Sequence, residues 1–137
     1  MMNEKNLKII LGVISILTGL IYVMGVYGPT EAEVSTWGLL AMIMGGLMVY
    51  FGIDKGNKTT FISILIVILL SIIQIPAIIL WFIFSGSSIS DGTPPSYFVA
   101  NWIYATPHIF IVLLGLLFIL VSFKTKRNLI VQESNNK

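Results

Sequence analysis

His108 is the only histidine in this 137-residue chain, and it stands directly after Pro107 in the apolar run YATPHIFIV. An imidazole can relay a proton, ligate a metal or join a hydrogen-bond network. The stronger roles need company. A relay or general base needs a titratable partner, and a metal site needs several His, Cys or carboxylate ligands. The chain has no cysteine, which excludes thiol nucleophiles, disulfide exchange, iron–sulfur clusters and thiolate metal sites. No acidic partner lies at His108's depth. The sequence therefore predicts no enzymatic centre, no metal and no cofactor.

The polar residues that can reach the level of His108 are neutral. Gln74 lies within SIIQIPAI, Thr18 and Tyr22 within the first apolar run, and Ser71 and Thr106 stand at the margins. Counting inward at 1.5 Å per residue puts Gln74 roughly 9 Å and His108 roughly 6 Å below the nearer membrane boundary. The expected constellation is Thr18, Tyr22, Gln74 and His108, edged by Ser71 and Thr106, with a neutral imidazole. Two prolines share that layer, Pro76 and Pro107. Each removes a backbone donor, and the freed carbonyls are expected to be met by Gln74, His108 or water. Structural hydrogen bonding is the leading expectation for His108, ahead of a place in a solute pocket.

These residues must be positioned by elements that live in lipid. Hydrophobic residues make up 56% of the chain and charged residues 10%, and a domain this small cannot hide so much apolar surface from water. Four stretches approach the roughly 20 residues needed to cross a bilayer: 7–27, 34–53, 61–84 and 99–123, followed by a polar basic tail, 124–137, that is expected to fray. Backbone groups in lipid must be satisfied within the segment, so the spans are helices. The fold expected is an all-α integral membrane protein, a single antiparallel four-helix transmembrane bundle.

Punctuation supports these bounds. Gly28 and Pro29 suit the end of the first helix, and Thr30 with Glu33 has capping-box spacing for the second. Gly56 and Asn57 read as a stop, with Thr59 or Thr60 as the next cap. For the fourth span we favour one continuous helix kinked at Pro107 over a helix that starts at Thr106. The first span is expected to be retained rather than cleaved, because its apolar run is about twice a signal peptide's h-region.

Charge sets orientation. Lys5 and Lys8 flank the start of span one, Lys55 and Lys58 join spans two and three, and Lys124, Lys126, Arg127 and Lys137 follow span four. The opposite loops hold Glu31, Glu33 and Asp91 with no basic residue. The positive-inside rule then makes both termini cytoplasmic, in what is expected to be a prokaryotic cytoplasmic membrane. The spans themselves are expected to carry no charged side chain. Tyr27, Trp37, Trp81, Tyr97, Trp102 and Tyr104 gather toward the opposite face, where an interfacial aromatic belt belongs.

Close helix packing in lipid needs small residues. Span one offers Gly12, Ser15 and Gly19, and span two offers Gly38, Ala41, Gly45 and Gly52. This face predicts a tight hairpin of helices one and two, or alternatively a dimer contact. Span two, rich in glycine, is expected to be the most enclosed, and span three, bulky and β-branched, mostly lipid-facing. The partners implied are membrane lipid and another membrane protein or a second copy, not nucleic acid. Two functions fit: a non-enzymatic accessory, regulatory or oligomerising membrane subunit, or a transporter or binder of a small neutral or lipophilic solute.

Overall fold

The computed structural model describes residues 3–26, 32–54, 59–83 and 102–135. It is all-helical: α1 (Glu4–Val23), α2 (Ala32–Ile53), α3 (Thr59–Ile83) and α4 (Thr106–Asn135), the last preceded by a short 3₁₀ turn, Trp102–Ala105. All four α-helices are long and apolar enough to cross a membrane, which marks the chain as a membrane protein. The loop residues Gly28, Pro29, Thr30, Gly56 and Asn57 and the ring of Tyr97 lie outside the described residues.

Each helix buries a narrow stripe and turns large apolar side chains outward. On α3 the buried positions are Ser63, Ile66, Val67, Leu70, Gln74, Ala77 and Trp81. Apart from Ile66, which widens the stripe, they follow in alternating steps of four and three that keep one seam facing inward. The outward face of α3 carries Phe61, Leu65, Ile68, Ile72, Ile75 and Phe82; in lipid such a face needs no protein cover. Pro76 falls on that exposed side.

α1 and α2 meet backbone to backbone. A Cβ added at Gly12 would lie 2.5 Å from the Gly45 carbonyl oxygen, and one at Gly45 would lie 2.6 Å from that of Gly12. Gly19 and Gly38 oppose each other in the same reciprocal way, and a Cβ at Gly52 would stand 2.6 Å from Ile9. The operative spacing is therefore seven residues on both helices, with Ser15 and Ala41 between the glycines; the Ser15 hydroxyl donates to the Ala41 carbonyl at 2.8 Å. This small-residue face is closed within one chain, so it is not free to join a second copy.

Several expectations need correction. α1 ends at Val23, not at Tyr27, because Gly25 takes a positive φ of 62°. The Gly25 N–H bonds the Tyr22 carbonyl and the Val26 N–H bonds that of Ile21, a Schellman stop one turn earlier than Gly28 would give. α4 starts at Thr106, so Pro107 lies in a first turn, where its missing N–H leaves no helical bond unmade. The continuous helix kinked at Pro107 is thus replaced by a helix start. The basic tail beyond residue 123 is helical as well, since α4 continues to Asn135.

The most enclosed helix is α1, with eight buried residues, not α2. Glycines let α2 make its contact through one thin face, leaving Leu39, Ile43, Leu47 and Tyr50 exposed on the others. Lys8 also overturns the expectation of charge-free spans. It lies one turn inside α1, only 5% exposed, with its Nζ 5.8 Å from the centre of the Phe118 ring. A long aliphatic stem lets lysine bury most of itself near a helix end. Beside it the Ser122 hydroxyl donates to the Glu4 carboxylate at 3.1 Å, tying α4 to α1.

Candidate functional site

A single polar layer crosses the bundle, built by residues from all four helices. The α1 stripe that buries Leu11, Ser15 and Thr18 ends at Tyr22. The α3 stripe presents Gln74 and, seven residues on, Trp81 on the same face. The start of α4 at Thr106 puts His108 in its first turn, aimed at both.

The hydrogen bonds run in a line. The Trp81 indole N–H donates to the Tyr22 hydroxyl oxygen at 2.7 Å. That oxygen lies 2.9 Å from His108 Nε2, and His108 Nδ1 lies 2.7 Å from Gln74 Oε1. An indole nitrogen can only donate. The arrangement using each of these groups once has the Tyr22 hydroxyl donating to Nε2 and the Nδ1–H donating to Oε1. That is a neutral imidazole with its proton on Nδ1. Gln74 and His108 are wholly buried, and Tyr22 and Trp81 are each 2% exposed. In such burial every bond in the layer is held in a low-dielectric setting where an unmade one costs free energy.

Trp37 of α2 completes the layer from the side. Its ring stands 4.8 Å from Tyr22, nearly edge-on at 75°, and 5.4 Å from His108. Its indole N–H donates to the Ile73 carbonyl at 2.8 Å. Pro76 has no N–H to return to the carbonyl of Ile72, and the external donor arrives one residue along. Trp37 thus bonds the neighbouring carbonyl and not the one that Pro76 frees. Gln74 and His108, expected to meet the freed one, bond each other instead.

Of the sequence constellation, Tyr22, Gln74 and His108 come together. Thr18 does not join their bonds; its hydroxyl returns to the Ile14 carbonyl of its own helix at 2.8 Å. Ser71 likewise bonds the Val67 carbonyl at 2.8 Å, facing Gly115 of α4. Thr106 stays at the N-terminal edge of α4, half-buried. The sequence reading missed Trp37 and Trp81, taking both for belt anchors. The signal was present for Trp81, since a tryptophan seven residues from a buried glutamine shares its face. Tyr104 stacks its ring 4.9 Å from Trp81. Tyr27 and the ring of Trp102 lie outside the described residues.

One atom stands apart. The Gln74 side-chain nitrogen is buried and has no hydrogen-bond acceptor among the described residues. An amide N–H₂ left so costs about 1–3 kcal/mol. The layer is thus complete along its line and deficient at one donor.

No family model, no curated protein and no solved structure matches this chain.

Proposed function

We propose that the protein is a non-enzymatic accessory or regulatory membrane subunit that works by association with another membrane protein or with itself. In this reading it is an antiparallel four-span bundle of a prokaryotic cytoplasmic membrane, with both termini in the cytoplasm. The observation that carries it is the closure of the polar layer. The side chains best suited to chemistry, Tyr22, His108 and Gln74, bond one another in complete burial, while apolar faces of α2, α3 and α4 point outward. A bundle whose interior is turned on itself and whose outside is broad and apolar suits helix-to-helix association.

Crosslinking in the native membrane followed by purification tests this directly. A defined second polypeptide or a homo-oligomer is expected, and a monomer with no partner contradicts the reading. Topology has its own test, because the chain lacks cysteine. An impermeant maleimide added from outside should label Asp91→Cys and spare Asn57→Cys; the reverse pattern refutes the orientation. A second reading, a binder of a small neutral or lipophilic solute, is favoured by one observation: the Gln74 amide nitrogen without an acceptor.

A further inference from the structure

Resting on that second reading, we infer that Gln74 is the recognition group for a carbonyl-bearing lipophilic molecule, which reaches it from the lipid between α2 and α3, where Trp37 closes the seam. The chemistry of the unmet donor selects the ligand. An amide N–H₂ calls for an acceptor. Water is a poor candidate, since it brings two hydrogens of its own and a buried water needs two to four polar partners. Among the described residues the side-chain acceptors nearest it, His108 Nε2 and Gln74's own Oε1, are already engaged. A ketone, quinone or ester carbonyl accepts without donating and leaves that line of bonds intact.

The surroundings fit such a ligand. The rings of Tyr22, Trp37 and His108 stand 4.8 to 5.6 Å from one another, an apolar aromatic wall beside the amide. Among the described residues no charged side chain shares this layer, so an anionic or cationic ligand has no counter-ion there. Trp37 is the gate because of where it is placed and how it is held. It is half-buried, while Tyr22, Gln74, Trp81 and His108 are buried. Its N–H bonds the carbonyl of Ile73, the residue next to Gln74. Swinging this one ring outward breaks its hydrogen bond to Ile73 and frees the face of His108 on which it packs, beside Gln74.

The test uses the full chain in dodecyl maltoside, a detergent without carbonyl groups, and follows thermal unfolding by circular dichroism. The probes are 2-undecanone and undecane, alike except for the carbonyl. Wild type should gain about 5 °C at saturation with 2-undecanone and nothing with undecane. Gln74→Met, which keeps the length of the side chain and removes the donor, should lose the response. Should Gln74→Met not fold, Trp37→Phe carries the test, because an unlatched ring should lower the half-saturating ketone concentration several-fold. An unchanged half-saturation overturns the inference.

Further outcomes separate the inference from the reading beneath it. Equal, saturable shifts with both probes keep a lipophilic binder and overturn carbonyl recognition by Gln74. No shift with either probe overturns both. Nanodiscs of ester-linked and ether-linked phosphatidylcholine identify the natural source. A ketone response blunted only in ester lipid assigns the site to a lipid ester, and equal responses assign it to a free ketone or quinone.

Discussion

The glycine seam of α1 and α2 and the polar layer around His108 hold the same bundle by opposite means. At the seam there is almost no side chain to speak of. Gly12 faces Gly45 and Gly19 faces Gly38 so closely that the carbonyl of one occupies the place where the other's Cβ would be. Its strength is shape and dispersion, gathered over many short contacts. The layer works through direction: Trp81 to Tyr22, Tyr22 to His108 and His108 to Gln74, each bond fixing the next. The seam joins two helices that are neighbours in sequence, whereas the layer joins all four. A seam of this kind fails by crowding and a layer of this kind fails by deletion.

That difference ranks the expected effects of substitution. Gly19→Val should be the most damaging, at about 3 kcal/mol, because its branched Cβ meets rigid backbone; unfolding in a denaturing detergent, followed by circular dichroism, measures it. His108→Ala should lose about 2 kcal/mol, since it strands the Tyr22 hydroxyl and Gln74 Oε1 in a dry interior. Tyr22→Phe should lose about 1 kcal/mol by the same assay, the sum of two average intramembrane hydrogen bonds. Smallest of all is Gly46→Ala. An added Cβ there meets nothing within 4 Å, so the change should be neutral or stabilise by up to about 1 kcal/mol. If Gly46→Ala were as harmful as Gly19→Val, the seam's dependence on close approach would be wrong.

What could be read from the sequence follows the same division. Helix existence and number were legible, because long apolar runs in lipid have one helical solution. The small residues of the seam were legible too, although not which of them would pair, as Gly12 against Gly45 and Gly19 against Gly38 show. Helix ends were less so. Gly25 and Gly28 are equally good stops by composition, and it is at Gly25 that the backbone takes the left-handed turn that ends α1. Pro107 had two readings that differ in where a helix begins, and sequence alone could not weigh them.

Within the layer, depth counting brought Tyr22, Gln74 and His108 to one level. It could not say which neutral groups would bond there. Thr18 and Ser71 can satisfy their hydroxyls on their own helices, as they do, so their proximity carries no cross-helix bond. Trp37 and Trp81 were hidden by a sound generalisation about interfacial tryptophans. The same amphipathic ring that suits a membrane boundary also suits a buried donor with an acceptor in reach.

The account stands or falls on whether Gln74 and His108 meet. A double-mutant cycle of Gln74→Ala and His108→Ala, scored by reversible unfolding in detergent or bicelles, measures this most directly. The 2.7 Å contact between Oε1 and Nδ1 predicts a coupling energy of about 0.5–1.5 kcal/mol. Strictly additive effects of the two substitutions would mean that the layer is not joined at its centre.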